Sequence, residues 1–264
     1  MEVISIVNRK GGIGKTTSAV NISNELAFLG YKVLMLDLDS QCDLTKIYGK
    51  DDELGIYDVL KEEVKIEEAV VKTDISDNLY LVPGSEDIIH WREEDQEDRL
   101  KEALNELSLK DESDNEIELD FVIVDHPPNL NESALTGFVA SDEILIVLEP
   151  EAFCVNNINS LLNDVTQIKE LMNSDLSILG MLINRVDKRR SLTNRVIKKI
   201  RNTFGDDVLG TTISNNTAIP TSIYDGIPIR ELAETKNWYS KTLSEFRKVI
   251  IEIIERLGVN YGDE

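Results

Sequence analysis

The chain of 264 residues contains only two cysteines and lacks any apolar run of the roughly 18 residues that a transmembrane helix needs. Cys42 and Cys154 show neither the spacing of a metal site nor a disulfide pattern, which favours a reducing cytoplasm. Met1 leads directly into an apolar segment, so no signal peptide is expected. Basic side chains are also scarce, with 28 against 50 acidic ones and a net charge of −22. We therefore expect a cytoplasmic protein with no membrane partner.

One glycine-rich segment gives the first positive indication of function. Residues 10–17 read Lys-Gly-Gly-Ile-Gly-Lys-Thr-Thr, and they lie between the apolar run 3–7 and a helical pattern over 18–29. Strand, glycine loop and helix form the arrangement of a phosphate-binding loop, in which backbone N–H groups and the positive helix end hold an oxyanion. We expect Lys15 to contact the β- and γ-phosphates of ATP and the Thr16 hydroxyl to hold Mg²⁺.

Two further apolar segments end in acidic side chains. Residues 32–41 end in Asp37 and Asp39, and residues 121–128 contain Asp125 after a run of apolar side chains. A strand that ends in an aspartate beside a phosphate-binding loop can hold Mg²⁺ through water. The sequence therefore predicts that these three acids lie close to the bound nucleotide.

Apolar strands alternate with helical patterns along the rest of the chain. The predicted strands are 79–83, 144–148, 178–184 and 208–213, and the predicted helices lie near 95–108, 130–140, 156–173, 191–204 and 237–257. Near-continuous apolar strands separated by helices are typical of a parallel sheet that is covered on both faces. The prediction is an α/β fold, a single P-loop domain over 1–264 with a mostly parallel twisted sheet and ligands at the carboxyl ends of its strands.

A second lysine, Lys10, stands at the start of the glycine-rich loop. With it the loop resembles that of the deviant Walker A ATPases, the ParA/Soj/MinD family, and most of all the ParA/Soj-type DNA partition ATPases. The resemblance extends over nearly the whole chain and includes residues 57–60, 140–142 and 226–229. It implies a Mg²⁺-dependent ATPase with weak basal activity that converts ATP to ADP and phosphate. Lys10 would then reach across an ATP-dependent homodimer to the phosphates of the other subunit.

The resemblance also implies roles for individual residues. Asp39 would orient the attacking water, Glu151 would lie near the nucleotide, and Asn184 with Arg185 would contact adenine. The predicted catalytic residues are Lys10, Lys15 and Asp39, and the predicted metal-binding residues are Thr16, Asp37 and Asp125. The predicted ATP-binding residues are Lys10, Gly11, Gly12, Ile13, Gly14, Lys15, Thr16, Thr17, Glu151, Asn184 and Arg185.

Charge is distributed unevenly along the chain. Residues 51–120 carry 25 acidic and 7 basic side chains, a net charge of −18, whereas residues 185–201 carry a net charge of +7. The basic segment predicts nonspecific DNA binding through Arg189, Arg190, Arg195, Lys198, Lys199 and Arg201. The acidic segment is either a solvated face or a docking surface for a basic segment of a ParB-like centromere-binding protein, the partner that the resemblance implies.

Three positions depart from the pattern of the resembling family. Ser40 and Ser214 stand where a proline is usual, and Ala218 stands where a DNA-binding arginine is usual. The leading interpretation is nevertheless a nucleoid-associated DNA partition ATPase. A MinD-like membrane-cycling ATPase is disfavoured by the acidic chain end, and a small-molecule ATP-using enzyme of the same fold is disfavoured by Lys10. A DNA-binding regulator with a vestigial ATPase site is disfavoured by Asp39 and Asp125.

Overall fold

The computed structural model describes residues 1–50, 53–91, 96–111, 113–235 and 239–259 of the chain. The first residues of two predicted helices, those over 95–108 and 237–257, lie outside these ranges, as do residues 260–264 of the acidic chain end.

The described residues form ten strands. They are β1 (Glu2–Val7), β2 (Val33–Asp37), β3 (Val71–Lys72), β4 (Leu79–Val82), β5 (Leu109–Lys110), β6 (Glu116–Ile117), β7 (Phe121–Asp125), β8 (Glu143–Leu148), β9 (Ser177–Val186) and β10 (Val208–Ser214). Eight of them form one sheet in the order β10-β9-β8-β1-β7-β2-β4-β3. Every neighbouring pair in this sheet is parallel except β3 with β4. Strands β5 and β6 form a separate antiparallel pair, and neither strand was predicted from the sequence.

The same part of the chain contains α-helices of very different length. They are α1 (Lys15–Phe28), α2 (Asp43–Ile47), α3 (Ile56–Leu60), α4 (Ile66–Ala69), α5 (Arg99–Glu106), α6 (Glu132–Ala140), α7 (Cys154–Leu171), α8 (Ser191–Phe204), α9 (Ala218–Asp225), α10 (Ile229–Thr235) and α11 (Tyr239–Leu257). The long helices lie where the sequence predicted them, within a few residues. The short helices α2, α3, α4, α9 and α10 were not predicted.

Helices cover both faces of the sheet, because successive side chains of a strand point to opposite faces. On β2, Met35 packs into the cluster that α1 and α11 form on one face. The neighbouring Leu34 and Leu36 pack into the cluster of α3, α4 and α5 on the other face. Helices α6, α7 and α8 cover β8 and β9 on that second face. The α/β fold with a mostly parallel sheet between helices is confirmed.

The outer edge of β10 is covered by side chains from α11, the helix beside it. The carboxylate of Glu252 accepts hydrogen bonds from the backbone N–H groups of Gly210 and Thr211, at 2.6 and 2.8 Å. The carboxylate of Glu245 accepts from the N–H and the hydroxyl of Ser214, at 2.8 and 2.6 Å. Uncovered sheet edges pair with strands of other molecules. These contacts therefore prevent the sheet from growing at this end.

We predict that the double variant Glu245→Ala and Glu252→Ala exposes this edge. Loss of the bonded carboxylates should lower the free energy of unfolding by about 1–3 kcal/mol, because N–H groups lose charged acceptors. It should also cause concentration-dependent self-association without nucleotide, measured by analytical ultracentrifugation. Glu255→Ala, an exposed position on the same helix, is the control. A double variant as stable and as monomeric as the control would contradict this account of the edge.

Candidate functional site

The phosphate-binding loop connects β1 to α1 and depends on its glycines. Gly12 and Gly14 have φ angles of 73° and 96°, a backbone conformation that glycine adopts without strain. A Cβ atom on Gly14 would also lie 2.4 Å from Nδ2 of Asn184. That amide group instead donates a hydrogen bond to the carbonyl of Ile13 at 2.9 Å. The end of β9 therefore supports the loop directly, which explains why Asn184 lies at the site.

Lys15, the first residue of α1, places a buried charge at the carboxyl edge of the sheet. Its side chain is only 6% exposed. Burial lowers the pKa of its ammonium group, and the nearby carboxylates of Asp125 and Asp39 oppose that effect. Phosphate oxygens can take over the same balancing role when a nucleotide binds.

Asp125 ends β7 as a buried carboxylate with unused hydrogen-bonding capacity. Among the described residues, neither of its oxygens accepts a hydrogen bond of normal geometry, although the Thr16 hydroxyl lies close enough to lower its pKa. Burial, and then the charge of Asp37, nevertheless hold the pKa of Asp125 well above its usual value. Buried polar atoms without partners are rare. The pair of Asp125 and Thr16 therefore fits a divalent cation that neutralises the carboxylate.

Asp37 ends β2 directly beside Asp125, and the two residues are paired in the sheet register. In contrast to Asp125, its oxygens are occupied. Oδ2 accepts from the backbone N–H and the hydroxyl of Thr45 at 2.9 and 2.7 Å, and Oδ1 accepts from the N–H of Asp39 at 3.2 Å. Burial raises the pKa of Asp37 to about 6, and the bonds from Thr45 limit the rise.

Asp39 lies two residues beyond β2 and is only half-buried. Its Oδ1 accepts a hydrogen bond from the N–H of Gln41 at 3.1 Å, and its charge acts on Lys15. Asp39 therefore lies near enough to Lys15 and Asp125 for its charge to act on both.

Lys10 lies at the surface of the loop and contacts acids of its own chain. Its Nζ donates to Glu151 at 2.7 Å and lies 3.7 Å from Glu149. The hydrogen bond to Glu151 raises the pKa of Lys10. Two neighbours that the sequence analysis missed hold the backbone here. Asn8 accepts from the Lys10 N–H at 2.9 Å and donates to β8, and Arg9 bonds to α7.

Arg185 follows Asn184 at the end of β9 and has a φ angle of 53°, unusual for a residue other than glycine. Its N–H donates to the side-chain oxygen of Asn184 at 2.8 Å. Such strained residues cluster at functional sites. The structure thus brings both predicted adenine contacts to the side of the phosphate-binding loop.

The predicted DNA-binding residues differ in their exposure and in the contacts that they make within the fold. Arg195, Lys198 and Lys199 lie on the exposed side of α8. Arg189 and Arg190 are exposed but form ion pairs with Asp187, at 2.9 and 3.5 Å. Arg201 is half-buried and donates to the carbonyl of Gly210 at 3.0 Å, so part of its hydrogen-bonding capacity is used within the fold.

Ala218, at the position of a usual DNA-binding arginine, is fully buried at the start of α9. Its N–H donates to the side chain of Asn216 at 2.8 Å. This position therefore presents no side chain to DNA.

Over the described ranges, no group of three or more His, Cys, Asp and Glu side chains is arranged to hold a metal ion. A magnesium ion that arrives with phosphates needs only one or two protein ligands. Within the same ranges, no helix combines the length and the apolar character needed to cross a bilayer.

Comparisons with known proteins agree with this geometry. A family model described as an AAA domain matches residues 1–178. The chromosome-partitioning ATPase Soj of Treponema pallidum is 34% identical over 233 residues, which are 86% of this chain and 88% of the relative. A plasmid partition protein from Borrelia burgdorferi has a similar structure, with a TM-score of 0.74, 25% identity, and coverage of 97% of this chain and 98% of that one. The structure of cobyrinic acid a,c-diamide synthase from Mycobacterium smegmatis with bound ATP analog and magnesium is also similar. Its TM-score is 0.73 at 28% identity, and the match covers 82% of this chain and 86% of that one.

Proposed function

The chain belongs to the ParA/Soj family of chromosome and plasmid partitioning ATPases, and from this premise we propose that it is an ATP-dependent DNA partition ATPase. In this proposal an ATP-sandwich homodimer binds DNA nonspecifically at the nucleoid, and partner-stimulated hydrolysis releases it. One observation supports the proposal: Lys15, Thr16, Asp39 and Asp125 lie close together at the carboxyl edge of the sheet, while the Lys10 side chain lies at the protein surface.

The phosphate-binding loop, residues 10–17, would hold the triphosphate through its backbone N–H groups and Lys15. Thr16 and Asp125 would hold magnesium, since Asp125 has oxygens to spare. Magnesium, when bound, supplies positive charge that neutralises the phosphate oxygens. Asp37 lies next to Asp125 but already accepts hydrogen bonds at both oxygens, so it is the weaker of the two predicted metal ligands.

Hydrolysis needs a positioned water more than it needs a strong base. Asp39 would orient that water, because it is half-exposed and lies beside Lys15. Slow basal hydrolysis suits a switch, because an ATPase that hydrolyses ATP rapidly without its partner would not remain in the ATP-bound form.

Lys10 would change partners when the dimer forms. In the single chain it pairs with Glu151 on the surface. Exposed ion pairs of this kind contribute about 0–1 kcal/mol. The phosphates of the second subunit, with several negative charges, can therefore displace Glu151 at little cost.

We predict that Lys10→Ala still binds ATP but neither dimerises nor hydrolyses it, because the charge that acts across the interface is gone. Light scattering after size-exclusion chromatography with ATP measures dimerisation, and phosphate release measures turnover. Lys110→Ala is the matched control, since Lys110 also forms an exposed ion pair of 2.7 Å. ATP-dependent dimerisation of Lys10→Ala at the wild-type level would show that Lys10 has no role in trans.

DNA binding has to overcome a net charge of −22. At about 0.15 M salt the Debye length is about 8 Å, so a local basic patch can act while distant acids are screened. Arg189, Lys198 and Lys199 are exposed near one helix and support such a patch. Phosphate contacts of this kind carry no base preference, and two subunits would double their number. DNA binding would then follow ATP-dependent dimerisation.

We predict that replacing Arg189, Lys198 and Lys199 together by alanine abolishes ATP-dependent retention on DNA and leaves ATP-dependent dimerisation intact. The matched control replaces Lys72, Lys101 and Lys110 by alanine, which changes the net charge equally but within the acidic segment. Filter binding to DNA of random sequence measures retention. If the basic variant retains DNA as well as the control does, the DNA surface lies elsewhere.

A ParB-like partner with a basic segment would dock on the acidic segment. A groove of about 380 Å³ lies between α4 and α5, and its lining includes the apolar side chains of Val59, Ile66 and Ala103 and the basic ones of Lys65 and Arg99. Its acidic side chains are Glu62, Glu63, Glu67, Glu68, Glu102 and Glu106. A solvated acidic face is the alternative interpretation of the same charges.

We predict that a basic peptide from a ParB-like partner stimulates ATP hydrolysis, and that raising salt from about 50 mM to 300 mM weakens the stimulation by screening. Glu67→Gln with Glu102→Gln should reduce it further, whereas Asp206→Asn with Asp207→Asn, remote from the groove, should not. Phosphate release is the measurement. Stimulation that is independent of salt would remove the electrostatic basis of this docking.

A small-molecule enzyme is the second candidate, favoured by the similarity to the Mycobacterium smegmatis synthase. The position of Lys10 at the loop surface favours the dimeric switch instead. Substrate-independent ATP turnover that DNA and partner stimulate would support the switch. Turnover that requires a carboxylic acid and an amide donor would support the synthase.

A further inference from the structure

The segment that carries Asp39 forms a closed loop. This Asp39 loop, residues 38–44, leaves β2 and leads into α2. Both of its ends are bound by the same side chain: Asp37 accepts from the N–H of Asp39 at one oxygen and from Thr45 at the other. The loop therefore begins and ends on one carboxylate.

Thr45 ties this closure to a third segment. Its hydroxyl donates to Asp37 at 2.7 Å and accepts from the N–H of Gly84 at 2.7 Å, and its side chain is only 1% exposed. Gly84 follows β4 and packs so closely that a Cβ atom would lie 2.9 Å from Cγ of Asp37. The ends of β2 and β4 and the start of α2 thus meet at one hydroxyl group.

The closure holds the loop in an unusual backbone conformation. Cys42, between Asp39 and Thr45, has a φ angle of 53°, which residues other than glycine rarely adopt. Residues held in this way persist only when the structure around them fixes them. The bonds at Asp37 provide that constraint on both sides of Cys42.

We propose that Asp37 and Thr45 are positioning residues for hydrolysis, which hold the Asp39 loop so that the Asp39 carboxylate stays close to Lys15. The inference rests on the proposed role of Asp39 in orienting water. A displacement of about 1 Å in a reacting group can reduce a rate by about 100-fold. Fixing the loop therefore matters for turnover, while the phosphate-binding loop that holds ATP lies on another segment.

The test is to remove the Thr45 hydroxyl and measure binding and turnover separately. Thr45→Val should lower kcat for ATP hydrolysis by about 10-fold or more, with KM and ATP-dependent dimerisation close to wild type. Thr45→Ser keeps the hydroxyl and should restore most of kcat. Thr136→Val is the matched control, because Thr136 is a buried threonine of α6 whose hydroxyl likewise donates one hydrogen bond, here to a carbonyl, and accepts one from an N–H. The control should keep kcat even if its stability falls.

Two results would overturn the inference: wild-type kcat in Thr45→Val, or a loss of kcat in Thr45→Ser as large as that in Thr45→Val. If Thr45→Val does not fold, Thr45→Ala is measured in the same way and must show the same separation of kcat from KM. Asp39→Ala, measured in parallel, separates this inference from the proposed function. Normal hydrolysis by Asp39→Ala refutes the role of Asp39, whereas an inactive Asp39→Ala beside an active Thr45→Val refutes only the role of Thr45.

Discussion

The electrostatic balance around Lys15 is the interaction on which the rest of the site depends. A buried ammonium group is costly unless charges of opposite sign compensate it. Here Asp125 and Asp39 do so, and the parallel pairing of β7 with β1 and β2 brings their segments to the loop that carries Lys15. A nucleoside triphosphate with magnesium would bind here by replacing the carboxylates that compensate Lys15 with phosphate oxygens. The proposed ligand, strongly anionic and accompanied by a cation, matches this arrangement of charges.

The two lysines of the loop differ in burial, and this difference suits them to separate roles in the proposed switch. Lys15 is buried and held by the fold, whereas Lys10 is exposed and paired with Glu151. Lys10 can lose its partner at little cost because it is exposed, whereas Lys15 can give up its carboxylates only when phosphates replace them. In the proposed switch, Lys15 contacts ATP in both the monomer and the dimer, whereas Lys10 contacts phosphates only when a second subunit is present.

The sequence predicted those parts of the structure that are encoded by neighbouring residues. The phosphate-binding loop, the acids at the strand ends and the α/β fold all follow from patterns within a few residues of each other. Contacts such as Lys10 with Glu151 join positions far apart in sequence, so no local pattern indicates them. Helices as short as α2 span little more than one turn and show no hydrophobic periodicity. No local pattern therefore indicates that Thr45 lies beside Asp37. The burial of Ala218 likewise depends on packing that only the structure shows.

The central claim is that ATP controls whether this protein binds DNA. Its most direct test is retention of the wild-type chain on DNA of random sequence with magnesium and ATP, with ADP, and without nucleotide. The account predicts retention with ATP alone, decaying as the ATP is hydrolysed. Equal retention under all three conditions, or none under any, would contradict it.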